Sequence, residues 1–204
     1  MLERFSMKYL GAEKWIHGID VIYDRHKREI NLSQEHYVLK VLERFGMADA
    51  KLASTPLVHH FRLSSAMCPK TQEEKNYMKN ILYSSAVGSL MYVMVCTHSD
   101  ITQAVGVVSR FMSNPSKQHW DMVKWILKYL KGNPIFVLYF GGKETPLRGY
   151  TDLDIVGNLD NRRSTTGYVF TFVGVAINWA LKLQQVVSIS TIDAKCISLT
   201  KGEK

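Results

Sequence analysis

A change in the spacing of apolar residues at Pro134 divides this chain of 204 residues into two parts. Between about residues 71 and 132, apolar side chains recur every three to four positions, which is the period of an amphipathic helix. After Pro134, short apolar runs at 135–140 and 147–155 are typical of strands. We therefore expect an α+β fold in which a mainly helical part precedes a mainly β part, with the boundary near Gly141.

Two antiparallel strand pairs are predicted, one on each side of the helices. Residues 14–32 are rich in β-branched and aromatic residues, and the polar stretch 24–29 predicts the turn of a hairpin. Residues 167–174 and 175–183 resemble a second pair that is joined by a tight turn. Residues 53–70 are instead rich in Ser, Thr, Pro and His, which predicts a linker or an extended surface segment.

Serines at N-cap positions and glycines at C-terminal ends help to define the predicted helices. A serine oxygen accepts a hydrogen bond from the free N–H groups of the first turn, and glycine tolerates the left-handed conformation that ends a helix. The predicted bounds are Ser33 to Gly46, about Thr71 to Cys96, Ser99 to Asn114, and Ser116 to Gly132. A further helix is predicted to begin near Thr191. One exposed side of the helix after Ser116 is expected to carry Lys117, Lys124, Lys128 and Lys131.

The net charge of +8 favours a polyanionic partner, because each phosphate that the protein neutralises releases condensed counterions. Lys124 and Lys128 are candidates for such contacts. Arg162 and Arg163 follow a group of aspartates and could also contact a phosphate backbone. From net charge alone, an ordinary basic surface that binds nothing is an equally good explanation. For the two arginines taken alone, a solvated turn is the more frequent case.

Several other classes of site are excluded by residue type and spacing. The three cysteines are odd in number and scattered, which argues against a secreted disulfide framework. No cluster of Cys and His has zinc-site spacing, and Gly141-Gly142-Lys143 fails the phosphate-loop pattern. The longest apolar stretch, at 169–181, is too short to cross a bilayer, and no signal-peptide pattern is visible. We expect an intracellular protein of the cytoplasm or nucleus, without a membrane partner.

Asp152, Asp154 and Asp160 form a short acidic group after the boundary. Residues 152 and 154 of a strand point to the same face, so two carboxylates could converge there. Carboxylates on one face are suitable ligands for a pair of Mg²⁺ ions, which can hydrolyse a phosphodiester. From spacing alone, solvated aspartates at a strand end are the better explanation.

Motifs along nearly the whole chain resemble the C-terminal part of the Pol polyprotein of copia-type LTR retrotransposons. The resemblance rests on many short matches in the same order. They are Leu32-Ser33-Gln34-Glu35-His36-Tyr37, Arg44-Phe45-Gly46-Met47, Ser54-Thr55-Pro56-Leu57, Ser85-Ala86-Val87-Gly88-Ser89-Leu90-Met91-Tyr92, His119-Trp120, Lys128-Tyr129-Leu130-Lys131-Gly132, Gly149-Tyr150-Thr151-Asp152, Arg162-Arg163-Ser164-Thr165-Thr166-Gly167-Tyr168, and Ile177-Asn178-Trp179.

The resemblance implies a division of the chain into three regions. Residues 1–58 correspond to the end of the reverse transcriptase palm and a thumb-like helix, and 59–140 to a helical connection region. Residues 141–204 correspond to the N-terminal part of a truncated ribonuclease H-like domain, with three antiparallel strands and the start of its first helix. The Tyr-x-Asp-Asp hairpin of the polymerase is absent, so we expect no polymerase activity from this chain alone.

The same resemblance makes Asp152 the first metal ligand of a ribonuclease H site. Lys195 stands where the second ligand, a glutamate, is expected, and the later carboxylates of the family do not appear. A lysine in place of the glutamate removes one oxygen ligand and adds a positive charge, and both changes oppose binding of Mg²⁺. Asp152 is therefore expected to be vestigial, with no cofactor bound and no cleavage.

The expected function is that of a non-catalytic Pol remnant that binds an RNA–DNA hybrid weakly through Lys124, Lys128, Arg162 and Arg163. One alternative is a transposon-derived protein-interaction module or effector that does not bind nucleic acid. Another is an enzyme that a second chain completes by supplying the missing carboxylates. A relic without function also stays open, since an incomplete sheet leaves an unpaired edge.

Overall fold

The computed structural model describes residues 14–57, 63–141, 146–154, 160, 163–185, 190, 192 and 195–196, without the side chains of residues 153 and 154. In these residues five α-helices and seven strands form a helical layer and two antiparallel sheets. The expected α+β class is confirmed. The predicted start of a helix at Thr191 lies outside the described residues.

The first sheet has the strand order β1-β2-β3-β4. Its strands are β1 (Trp15–Ile16), β2 (Ile19–Asp24), β3 (Glu29–Ser33) and β4 (Val137–Phe140). The predicted hairpin is confirmed, because Asp24 pairs with Glu29 around a four-residue loop. The apolar run after Pro134 forms β4 and pairs with β3, where Asn31 lies opposite Tyr139. The last strand of this sheet thus comes from residues that follow the helical part in the sequence.

Helix α1 (Glu35–Arg44) starts one residue later than its predicted cap implies. Ser33 is the final residue of β3, and its Oγ accepts the N–H of Glu35 at 3.3 Å, so Ser33 is not the N-cap. The predicted stop at Gly46 is confirmed, with φ at 64°. The N–H of Met47 donates to the carbonyl of Leu42 at 2.8 Å, which together with the left-handed glycine closes the helix as a Schellman motif.

The single helix predicted for residues 71–96 is wrong, because the chain forms two helices there. Helix α2 (Gln72–Lys79) begins with a capping box between Thr71 and Glu74. It ends at Asn80, and α3 (Tyr83–Cys96) starts three residues later. Asparagine and the following β-branched isoleucine are weak helix formers, which allows the chain to change direction between an exposed helix and a buried one.

Two further helices complete the helical layer. Ser99 opens a 3₁₀ turn and does not cap α4 (Thr102–Ser109), whose N-cap is Ile101, so that predicted cap is also wrong. Helix α5 (Lys117–Gly132) has the predicted bounds, with Ser116 in a capping box. Fully buried apolar residues of α3, α4 and α5 form the centre of the core: Ala86, Val87, Leu90, Val93, Ala104, Val108, Met122, Val123, Ile126, Leu127 and Leu130.

The second sheet has the strand order β5-β6-β7. Its strands are β5 (Arg148–Asp154), β6 (Thr165–Phe172) and β7 (Val175–Leu183). Val173 and Gly174 join β6 to β7 with φ angles of 55° and 77°, the positive values of a type I′ turn. Strand β7 packs on the helices, since the indole N–H of Trp179 donates to the carbonyl of Met94 at 3.0 Å.

Candidate functional site

A groove of about 240 Å³ separates the second sheet from the segment that leads into α4. Asp152 lines the groove from β5, and Asp100 and Gln103 line it from the helical side. Asp152 is exposed and lies opposite Gly167 of β6. The structure thus brings the predicted Asp152 together with a carboxylate that the sequence did not indicate, and the groove is acidic.

Asp100 is held in this groove by buried His98 and half-buried Tyr129. The hydroxyl of Tyr129 donates to Asp100 Oδ2 at 2.5 Å, and His98 Nδ1 lies 3.4 Å from Asp100 Oδ1. Burial alone would raise the pKa of Asp100, but the contacts with His98 and Tyr129 outweigh it and the pKa is lowered. Burial and the same carboxylate raise the pKa of Tyr129 to about 12. Asp100 therefore stays ionised at neutral pH. Tyr129 lies 29 residues away in sequence, so no local signal indicated this pair.

The third predicted aspartate, Asp160, is directed away from the groove. Its carboxylate accepts the N–H of Ser65 at 2.9 Å and the hydroxyl of Ser65 at 2.8 Å. Asp160, the third member of the acidic group, therefore binds Ser65 in the structure, and convergence was predicted only for Asp152 and Asp154. The side chain of Asp154 lies outside the described part of the chain.

Lys195, at the expected position of a glutamate ligand, is exposed and helical. Among the described residues, no group of three or more His, Cys, Asp or Glu side chains is arranged to hold a metal ion. In the part of the chain that the structure describes, Asp152 and Asp100 provide two carboxylates to the groove. The described residues do not fit a pair of Mg²⁺ ions, which needs several oxygen ligands.

The lysines predicted on one exposed side of α5 are mostly half-buried, and part of their charge is neutralised. Lys124 Nζ lies 2.7 Å from Asp121 Oδ1, one turn away. Lys131 Nζ donates to the carbonyl of Ala50 at 2.8 Å. Lys128 is half-buried on the same side of the helix. Lys124 and Lys128 are one helical turn apart, so both can reach one strand of a polyanion.

Arg163 lies two residues before β6, beside a tightly held segment. The next three residues, Ser164 to Thr166, are buried, and Gln184 Nε2 donates to Thr166 Oγ1 at 2.9 Å. The N–H of Gln184 also donates to the carbonyl of Ser164 at 2.9 Å. The backbone that carries Arg163 is therefore fixed. Arg162 lies outside the described residues.

His119 was not predicted as a functional residue, yet it organises the start of the lysine-bearing helix. The N–H of Ser116 donates to His119 Nδ1 at 2.9 Å, and the ring stacks on Phe111 with 4.0 Å between centroids. Because Nδ1 accepts this bond, the neutral ring carries its proton on Nε2. Burial lowers the pKa of His119, against a hydrogen bond at Ser64 and the charge of Asp160, which act in the opposite direction.

Comparison with known proteins shows the family of the chain. No protein-family model and no solved structure matches it. The chain is 54% identical over 200 residues to the retrovirus-related Pol polyprotein from transposon TNT 1-94 of Nicotiana tabacum, which covers 98% of this chain and 15% of the relative. The chain belongs to the copia-type retrotransposon Pol family. It spans about 15% of the length of that tobacco relative.

Two shorter relatives are matched over most of their own length. An uncharacterised mitochondrial protein of Arabidopsis thaliana is 33% identical over 203 residues, covering 98% of this chain and 80% of the relative. The secreted RxLR effector protein 161 of Plasmopara viticola is 41% identical over 126 residues, covering 61% of this chain and 89% of the relative. Sequences similar to this Pol region therefore occur in proteins that are much shorter than a Pol polyprotein.

The described helices include none that is long and apolar enough to cross a membrane.

Proposed function

We propose that this chain is a non-catalytic part of a copia-type Pol polyprotein that binds an RNA–DNA hybrid weakly. In this proposal residues 1–58 and 59–140 derive from the end of the reverse transcriptase and its connection, and 141–204 from a ribonuclease H-like domain. Family membership and the charge of +8 support it. The observation that carries the non-catalytic part is the lysine at position 195, together with the engagement of Asp160 by Ser65.

Loss of catalysis follows from the charges around Asp152. Two Mg²⁺ ions need several carboxylates to offset their charge, and here Asp160 is hydrogen-bonded elsewhere and Lys195 supplies a positive charge instead of an oxygen. Without metal, the carboxylates of Asp100 and Asp152 repel phosphate. The acidic groove therefore does not bind the nucleic acid backbone.

Hybrid binding is instead assigned to the basic side chains outside that groove. Lys128 is the most favourable of these on α5, because Lys124 is paired with Asp121 and Lys131 is bonded to Ala50. Arg163 adds a planar cation on a fixed backbone, and Arg162 precedes it in sequence. Few available contacts imply modest affinity and a moderate dependence on salt.

The test is a salt titration with a charge-matched control. Fluorescence anisotropy of a labelled RNA–DNA hybrid is measured for the wild type and for the Lys128→Ala/Arg163→Ala variant. Removing two phosphate contacts should lower the slope of log affinity against log salt by about 1.8. The Lys75→Ala/Lys79→Ala variant removes the same charge from exposed positions of α2 and should keep the wild-type slope. Equal slopes for all three proteins would refute the assignment.

A second candidate function is a protein-interaction module. The observation that favours it is the 41% identity to the secreted RxLR effector protein 161, which this chain covers over 89% of its length. Affinity capture with the nuclease-treated protein tests it. Recovery of one protein partner in stoichiometric amount, with no binding of the hybrid at low salt, would favour this function over nucleic-acid binding.

A further inference from the structure

The loop between β2 and β3 presents a run of basic residues outside those already assigned to hybrid binding. It consists of Arg25, His26, Lys27 and Arg28, and all four residues are exposed. The two loop ends, Asp24 and Glu29, are acidic and pair with each other across the hairpin. Whether the tip is basic therefore depends on where these two carboxylates are directed.

Both carboxylates are used to hold the hairpin. Asp24 Oδ1 accepts the backbone N–H groups of His26 at 3.0 Å and Lys27 at 3.1 Å, and Lys27 Nζ lies 3.8 Å from Asp24 Oδ2. Glu29 Oε1 accepts the hydroxyl of Tyr139 at 2.6 Å, from the neighbouring strand. The acidic residues are thus directed into the turn and the sheet, which leaves the arginines to set the charge of the tip.

An exposed aromatic ring lies directly beside the basic tip. Tyr23 is 54% exposed, and the guanidinium carbon of Arg25 lies over its ring at 5.6 Å from the centroid. Ile22, the preceding residue, is 64% exposed. An aromatic ring with an adjacent guanidinium is a surface on which an unpaired base can stack, whatever its identity.

Arg28 occupies a backbone conformation that favours glycine. Its φ is 56°, in the left-handed region where a side chain is sterically unfavourable. Glycine adopts this backbone conformation without the steric cost that the Arg28 side chain brings. Unfavourable conformations of this kind are found preferentially at functional positions.

We propose that this hairpin tip binds a single strand of nucleic acid, with Arg25 and Arg28 on phosphates and the Tyr23 ring stacked on an unpaired base. The planar donors of arginine fit phosphate oxygens, and the ring requires a base that is not already paired. This inference rests on the proposed nucleic-acid function and adds to it a separate site with a preference for single strands.

The test uses a fluorescein-labelled uridine 12-mer and, in parallel, the labelled RNA–DNA hybrid. The Arg25→Ser/Arg28→Gly variant should bind the 12-mer about tenfold more weakly in low salt, with a salt slope reduced by about 1.4. Because glycine suits the left-handed position, Arg28→Gly alone should melt no lower than the wild type by circular dichroism. The Lys75→Ala/Lys79→Ala variant of α2 is the charge-matched control and should keep the wild-type slope.

Tyr23→Ala separates base stacking from charge. It should weaken binding of the uridine 12-mer about tenfold and leave binding of the hybrid unchanged. If the wild type binds the hybrid and the hairpin variants bind the 12-mer as tightly as the control does, this inference is overturned. The proposed function then stays intact. A wild type that binds neither probe in low salt would overturn both.

Discussion

Ser65 and Asp160 are 95 residues apart in sequence and are joined by a hydrogen-bonded clasp. The backbone N–H of Ser65 lies 2.9 and 3.1 Å from the two carboxylate oxygens of Asp160, and the Ser65 hydroxyl lies 2.8 Å from one of them. The clasp connects the 3₁₀ turn at Ser65–Met67 to the segment between β5 and β6. It links the helical part to the segment that leads into the second sheet.

Removing this carboxylate should destabilise the protein. We expect Asp160→Ala to lower the free energy of unfolding by about 1 kcal/mol, since hydrogen bonds to a charged group are lost at an exposed site. Urea denaturation followed by tryptophan fluorescence measures the change. Asp49→Ala, which removes an exposed aspartate after α1, is the matched control. A loss no larger than that of the control would contradict a stabilising role for the clasp.

His119 should make stability depend on pH in a defined direction. Burial lowers its folded pKa below the ordinary value of 6.5, so the unfolded chain binds the proton more readily. Its contribution to stability is present above about pH 6.5 and is lost as the pH falls through the folded pKa. The free energy of unfolding of the wild type should therefore fall between pH 7 and pH 5.

The His119→Gln variant distinguishes titration of the imidazole from its role in capping α5. His119→Gln keeps an acceptor for the N–H of Ser116 and removes the titrating ring, so its fall in stability between pH 7 and pH 5 should be smaller. His26→Gln, in the exposed β2–β3 loop, is the control and should behave as the wild type. The same pH dependence in His119→Gln and the wild type would rule out His119 as its source.

Two glycines should respond to alanine with opposite signs. A Cβ on Gly106 of α4 would lie 3.5 Å from Leu181, an ordinary contact, and alanine is the better helix former. Gly106→Ala should therefore raise the free energy of unfolding by about 0.5–1 kcal/mol. A Cβ on Gly149 of β5 would lie 2.8 Å from the Phe170 ring, so Gly149→Ala should destabilise. Thermal melts of both variants check this, and a destabilised Gly106→Ala would mean that α4 and β7 are packed more tightly than the structure describes.

The helix bounds show what local sequence can and cannot predict. The bounds of α5 were predicted correctly, and at Ser116 the reason is local, because its capping box involves only residues of the first turn. Ser33 was wrongly predicted as a cap because it pairs with Val137 of β4 and extends β3 instead. That pairing joins residues about a hundred positions apart, so no local pattern contains it. Ser99 was wrong for a different reason, since the chain forms a 3₁₀ turn before α4 begins.

The candidate site also combines features that local sequence predicts with features that depend on tertiary contacts. Asp152 was predicted from its own short motif, and the structure places it in the groove. The groove's second carboxylate, Asp100, depends on Tyr129 and His98, and the orientation of Asp160 depends on Ser65. These contacts are tertiary, and the alternation of a strand cannot predict them. The basic hairpin tip also required the structure, because the directions of Asp24 and Glu29 decide its charge.

Restoring the expected glutamate should not restore cleavage. We predict that neither the wild type nor Lys195→Glu cleaves a labelled RNA–DNA hybrid with Mg²⁺, since Asp160 remains bonded to Ser65 and too few carboxylates remain to hold two ions. Gel analysis of the labelled strand measures this. Cleavage by the wild type that Asp152→Asn abolishes would contradict the non-catalytic proposal, and cleavage by Lys195→Glu alone would show that this lysine is the sole defect.

Binding of the wild-type protein to a labelled RNA–DNA hybrid at two salt concentrations tests the central claim most directly. A protein that holds nucleic acid through a few lysine and arginine contacts should bind in 50 mM salt and lose roughly a hundredfold in affinity by 200 mM. Fluorescence anisotropy measures both affinities with one sample. Absence of binding in 50 mM salt, or an affinity that salt does not change, would contradict a nucleic-acid-binding function for this chain.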